Sequence, residues 1–338
     1  MTRARLGWLC GAALALSAAA PPPAPGRPVV LKIGTVAPEA SPWHDVLVQM
    51  GQDWKRISQG QVTLHVHAGG VLGEELDMIK RVRIGGLQGV AISSVGLHHV
   101  EPAVSCLQIP MMFDSYAELD HVRDSIAPRL EAMIEKRGFL VLNWGDAGWV
   151  HFFSKTPAAT PEDIRKMRLF ISAGDAEALD LYKSAGMRPQ PLALTDVLTG
   201  LQTGMIEAFD VPPLMALLNQ WFALAPHMIE VKWAPLIGAT LVSKSAWEKV
   251  PEAHRPALRE AARAAGEKFR TDIRRLSDEA VEAMKKKGLK THPADAALVA
   301  TWRREAEAIY PKLRGPFAPA DLFDEVRRLR DEFRSGKR

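Results

Sequence analysis

The chain has 338 residues, with 43 Lys and Arg against 39 Asp and Glu, a formal net charge of +4. So small an excess gives no global argument for nucleic acid as a partner. It carries only two cysteines, Cys10 and Cys106, too few for a disulfide framework, and no stretch after the N-terminus is apolar enough for a membrane helix.

The first twenty residues combine Arg3 and Arg5, an apolar run from Leu6 to Leu16, and the small-residue exit Ser17-Ala18-Ala19-Ala20. A charged head, a short apolar core and a small-residue exit make a secretory signal peptide, with cleavage expected near Ala20. Trp8 and Leu9 are too bulky for a lipid-modification site at Cys10. The proline-rich residues 21–28 read as a leader. Loss of the two arginines lowers the formal charge from +4 to +2 and leaves Cys106 alone, so no internal disulfide is expected. A periplasmic location is expected, and roughly 310 residues are enough for two α/β lobes.

"VVLKIGTVAP" opens as a buried strand. In the following segment Trp43, Val46, Leu47, Met50 and Trp54 share a helical face, with Ser41 as N-cap and Pro42 at the first helical position. "QVTLHVHAGG" is a strand, "GEELDMIKRVRIGG" a helix closed by glycines, and "LQGVAISS" a strand. This βαβαβ order predicts an open sheet covered by helices. The alternation restarts near Gly138 with "GFLVLNWGD". "TPEDIRKMRLFIS" begins with Thr160 as N-cap and Asp163 in the capping-box position. It then turns into a strand in which Arg168 sits among Met167, Leu169 and Ile171. Two helices, "AGDAEALDLYKSAG" and "ALTDVLTGLQTG", precede the strand "MIEAFDVPP". From Pro251 to about Lys287 one helical pattern continues for roughly 55 Å, longer than a single small lobe. The C-terminal "RRLRDEFRSGKR" reads as a charged surface helix that frays.

Taken together, "LKIGTVAPEASPWHD", "GGVLGEELDMIKRVRIGGLQGVAIS", "LQIPMMF", "TPEDIRKMRLFIS" and "LTGLQTGMIEAFDVPP", in this order, resemble the solute-binding proteins of TRAP transporters, the dicarboxylate-binding DctP-like family. The resemblance covers nearly the whole mature chain. It implies an α/β, two-lobed periplasmic binding protein with an interlobe cleft and a long helix bracing both lobes. Such a protein closes on a ligand and delivers it to a membrane permease. The expected division is lobe I at 29–147 with 237–270 returning, and lobe II at 148–236 with 271–315 returning. Crossing segments fall near 147–150 and 234–238, and 316–338 form the tail helix.

The family also implies that Arg168, in the "KMRLF" strand, meets a ligand carboxylate through a two-point contact, chemistry that a planar guanidinium suits. The competing role is an ion pair with Asp210 or Glu207. Three positions that are often polar in relatives are Val150, Val211 and Trp233 here. Trp149, Phe152, Phe209 and Met111 extend the expected apolar wall, and Ser172 closes the Arg168 strand. Trp43, Ser93 and Ser94 lie where strands end and ligands enter such sheets. The expected ligand is therefore an organic acid with substantial apolar surface. The alternatives are a lipid or another hydrophobic ligand with Arg168 structural, or a ligand sensor.

His65 and His67, and the pair His98-His99, lack the further ligands a metal site needs. They read as a solvated strand face and a loop. Neither "GTVAPEAS" nor "HAGGVLGEE" has the glycine spacing of a phosphate or dinucleotide loop, and no serine has an adjacent base. No enzyme activity, cofactor or metal is expected.

Overall fold

A computed structural model describes residues 27–336. The expected signal peptide, Cys10, most of the leader and the last two residues of the tail lie outside the described residues.

The first stretch runs β1 (Val29–Gly34), α1 (Pro42–Ile57), β2 (Val62–His67), α2 (Glu75–Arg83), β3 (Gly89–Ser93), α3 (Ser94–Val100), α4 (Tyr116–Lys136) and β4 (Phe139–Trp149). The second runs β5 (His151–Ser154), α5 (Pro161–Arg165), β6 (Arg168–Ser172), α6 (Ala176–Ser184), β7 (Arg188–Leu192), α7 (Val197–Thr203), β8 (Ala208–Val211), α8 (Pro213–Leu218) and β9 (His227–Ile229). The chain then returns through β10 (Pro235–Ser243), α9 (Lys244–Trp247), α10 (Arg255–Lys285), β11 (Lys290–His292), α11 (Ala296–Leu313) and α12 (Ala320–Arg334).

Two sheets result, one of order β2-β1-β3-β10-β4 and one of order β11-β9-β5-β8-β6-β7. Strand β4 belongs wholly to the first sheet, antiparallel to β10, so the change of sheet comes between Trp149 and His151. It is reversed where β9 gives way to β10.

Local chemistry accounts for several element starts. The Ser41 side chain accepts from the His44 N–H at the head of α1. At α5, Thr160 and Asp163 each accept from the other's backbone N–H, so two donors of the first turn are satisfied. Gly204 ends α7 in the left-handed conformation, which costs glycine no Cβ clash.

Helix α10 holds the two halves together. Leu258 and Ala262 pack with Leu47, Met50 and Trp54 of α1, and the Trp54 indole donates to the Leu258 carbonyl at 2.9 Å. Further along, Ile273 and Ala280 pack on Leu214 of α8, and Met284 joins the core around Phe153 and Phe209. The helix lies so close to β4 that a Cβ at Gly266 would stand 2.6 Å from Asn143 Cβ. One helix thus contributes to the cores of both sheets.

From Arg327 on, the described tail is a largely exposed charged helix, as the sequence pattern suggests, while the preceding turns of α12 are anchored. Leu322, Phe323 and Val326 form a buried stripe on α12 and join the core of the first sheet. Arg129 pairs with Asp321 and Glu325. Arg334 Nε donates to Glu118 Oε1 at 2.8 Å. His98 and His99 sit on α3 rather than in a loop.

Candidate functional site

Two adjoining cavities, of about 300 and 210 Å³, lie between the sheets. They share Val36, Glu75, Ser93, Leu194, Met215 and Leu236 as walls. The larger is bounded by the ends of β1, β3, β4 and β10, by Trp43 of α1 and by Phe269 of α10. The smaller faces the ends of β6 and β8 and includes Phe170, Ile171, Ser172, Tyr182, Asp210 and Val211. Ligands of open α/β sheets collect at such strand ends. Two polar contacts tie the two halves beside the smaller cavity. His99 Nε2 lies 2.6 Å from the Gly174 carbonyl, and the Leu194 N–H donates to Glu74 Oε1 at 3.3 Å.

The structure brings Trp43, Ser93, Val150, Ser172, Val211 and Trp233 to these cavities. Five others are placed elsewhere. Ser94 is buried at the first position of α3, its hydroxyl without a hydrogen-bond partner. Met111 sits behind the wall, and its N–H donates to the Trp233 carbonyl at 2.6 Å. Trp149 packs against Tyr116, ring centroids 5.3 Å apart. Phe209 stacks on Phe153 at 5.0 Å; it lies one strand repeat deeper than Val211, away from the cleft end of β8. Phe152, also expected in the wall, is core between Trp233 and Trp302.

Arg168 is the most consequential correction. It begins β6, at the end of the strand away from the cavities, and its side chain is 46% exposed. Its Nη2 lies 3.0 Å from Glu207 Oε1, and its Nε donates to the Gly204 carbonyl at 2.9 Å. The Glu207 N–H donates to the Arg168 carbonyl at 2.7 Å, because β6 and β8 run side by side. Phe170 and Ser172, on the same face of the strand, reach the cavity instead. Arg168→Ala is expected to cost about 0–1 kcal/mol in urea unfolding, the usual scale for an exposed ion pair. Arg168→Lys is expected to leave ligand affinity unchanged by calorimetry. A clear loss of affinity in the lysine variant would return Arg168 to the cleft.

Among the described residues, no Arg or Lys lines either cavity, whereas Glu74, Glu75, Asp146, Asp175 and Asp210 do. Three of these acids are built into the structure. Glu75 accepts from the Ser93 N–H at 2.7 Å, the Ser93 hydroxyl at 2.9 Å and the Gly96 N–H at 2.7 Å. Burial nevertheless raises its pKa against the pull of those bonds. Asp146 is buried beside Arg274 and Arg123, and burial likewise pushes its pKa up. Asp210 accepts from the Tyr182 hydroxyl at 2.6 Å, and that hydroxyl accepts from Trp233 Nε1 at 3.1 Å. Burial drives the Asp210 carboxyl up to about 7, and burial beside Asp210 holds the Tyr182 phenol well above its ordinary value.

The sequence reading missed Tyr182, Glu75, Phe170 and Met215 as cleft walls, and had Asp210 only as a partner for Arg168. The aromatic Tyr182 next to acidic residues was visible. Its meeting with Asp210 and Trp233 was not, since the three stand on separate elements.

The model of the DctP family, described as bacterial extracellular solute-binding protein family 7, matches residues 33–315. The C4-dicarboxylate-binding periplasmic protein DctP of Rhodobacter capsulatus is 23% identical over 320 residues, covering 93% of this chain and 94% of its own length. A solute-binding protein of Roseobacter denitrificans is 25% identical, covering 76% of this chain and 78% of its own. Among solved structures, a TRAP periplasmic solute-binding protein from Sulfurospirillum deleyianum with bound succinate superposes with a TM-score of 0.82 at 21% identity, over 90% of this chain and all of that one. The sugar acid binding protein of Advenella mimigardefordensis in complex with galactonate gives 0.84 at 17% identity, over 90% of this chain and 99% of its own. At such identities these likenesses carry the two-lobed fold, with its interlobe cleft and long helix. With the family model spanning both sheets and the cleft between them, the chain belongs to the DctP family of TRAP solute-binding proteins, which are receptors and not enzymes.

Proposed function

We propose that this protein is exported, is cleaved near Ala20, and serves as the periplasmic receptor for a ligand with a large apolar surface, which it hands to the membrane permease of a TRAP transporter. In this reading the two halves are lobes hinged where β4 meets β5 and where β9 meets β10, and Arg168 is structural. The observation that carries the ligand class is the cleft wall. Val36, Trp43, Leu194, Met215, Leu236 and Phe269 surround the larger cavity, and among the described residues no Arg or Lys lines either cavity to meet a small dicarboxylate. A dicarboxylate buried there would lose its water contacts beside acidic groups, with no cation to compensate its charge. Each methylene buried instead would contribute about 0.8 kcal/mol.

Native mass spectrometry of periplasmic material, followed by a thermal-shift series, tests this. Ligands that bind the native state raise its melting temperature by mass action. The shift is expected to grow with chain length in a series of aliphatic ligands and to be absent for succinate. A second reading is favoured by the acids in the solved relatives, succinate and galactonate. Under that reading short, polar acids alone would stabilise the protein, and the chain-length series would be flat.

A further inference from the structure

We propose that the end of the cleft formed by Asp210, Tyr182 and Trp233 receives the ammonium head of an organic amine, whose apolar body lies toward Trp43 and Phe269. This rests on the apolar-ligand reading above and names the chemistry of the polar end.

The argument is one of hydrogen-bond capacity. Tyr182 has one hydroxyl proton, and it is given to Asp210 Oδ2 at 2.6 Å. Trp233 has one indole proton, and it is given to the Tyr182 oxygen at 3.1 Å. Both donors of the cluster are therefore used within it. What remains is acceptor capacity: an ionised carboxylate offers about four acceptor positions, of which Tyr182 fills one and the Asp210 backbone N–H acts on another. Above about pH 7, where Asp210 is ionised, a ligand carboxylate meeting this cluster would find no spare donor and a like charge. A ligand hydroxyl would bring one donor but leave the Asp210 charge uncompensated. An ammonium brings three donors and the opposite charge. The rings of Phe170, Tyr182 and Trp233 line the same cavity, and aromatic surfaces attract cations. The other ionisable groups of this wall, Glu74, Glu75 and Asp175, are acids, so the field in the cavity has one sign. His99, the remaining titratable group there, is turned to the Gly174 carbonyl.

Three ligands of equal chain length separate the possibilities: n-octylamine, 1-octanol and octanoate, titrated calorimetrically into the full-length mature protein at about pH 8, where an alkylamine is still charged. A hydrogen bond to a charged group is worth enough to make the amine about tenfold tighter than the alcohol or more, with octanoate weakest. Asp210→Asn keeps the shape and an acceptor for Tyr182 but removes the charge, and is expected to bring the amine level with the alcohol. Parity of the three ligands in the native protein, tightest binding of octanoate, or an amine preference that survives Asp210→Asn would each overturn the proposal. If all three bind but show no head-group order, only this proposal falls. If none binds while short dicarboxylates do, the apolar-ligand reading falls as well.

Discussion

Arg274→Ala is expected to destabilise the protein by about 3 kcal/mol, the lower end of what breaking a buried ion pair costs. Arg274 projects from α10 and meets two elements of the first lobe at once. Its Nη1 and Nη2 donate to the two oxygens of Asp120 on α4 at 2.6 and 2.7 Å. Its Nε and Nη2 donate to Asp146 Oδ2 on β4 at 2.9 and 2.6 Å. The guanidinium also lies 4.1 Å from the centre of the Tyr116 ring. The cost arises mainly at Asp146, whose side chain is 1% exposed. Without Arg274 the remaining ion-pair partner of that carboxylate among the described residues is Arg123, whose Nη1 is 3.6 Å away, so a poorly compensated charge stays buried. This remaining partner is why the lower end of the range applies. Adding Asp146→Asn to Arg274→Ala is expected to recover part of the loss, because the stranded charge is gone. Urea unfolding of the single and double variants measures both. A loss below about 1 kcal/mol, the scale of a surface pair, would mean that the Arg274 ion pairs add little to what the packing and hydrogen bonds of the bracing helix already supply.

Asp210→Asn is expected to stabilise the ligand-free protein above neutral pH. The Asp210 carboxyl titrates at about 7 in the folded protein, against an ordinary 3.8. A folded-state pKa raised in an acid means that the unfolded chain gives up its proton first. Stability is therefore intact below about pH 4, falls as pH rises toward 7, and carries the full penalty above that. Three pKa units correspond to at most about 4 kcal/mol. His151 works in the opposite direction: burial lowers its pKa from 6.5 to about 4, so its contribution is lost as pH falls through that interval. Since both proteins contain His151, the difference between their stability curves isolates Asp210. Urea midpoints from about pH 4 to 8 should give curves that meet at the acid end and diverge with rising pH. Parallel curves would mean that the Asp210 carboxylate is well solvated in the free protein. A cleft that holds a carboxylate at this cost is one in which a cationic partner would restore stability.

The sequence by itself determined the family, the order of elements and many of their ends. Ser41 with Pro42, and Thr160 with Asp163, act over three or four residues, so their pairing is decided by short-range geometry. The length of the pattern after Pro251 was enough to imply a helix shared by two lobes, and α10 does contribute to the cores of both sheets. The charged run from Arg327 on was legible as a surface helix, but that Leu322, Phe323 and Val326 just before it are covered depends on a distant surface.

The cleft was only partly legible. Strand alternation puts Arg168, Phe170 and Ser172 on one face, yet it says nothing about which end of the strand meets the other lobe. The parallel pairing of β6 with β8 decided that, leaving Arg168 beside Glu207 and Phe170 in the cavity. Tyr182, Asp210 and Trp233 come from α6, β8 and the return segment, 28 and 51 residues apart along the chain. Their hydrogen bonds exist because α6 and the segment after β9 pack together at the cleft end of β8, within the second half of the molecule. Periodicity reports which face of an element is apolar; it does not report which elements meet, and the chemistry of this cleft is made where they meet.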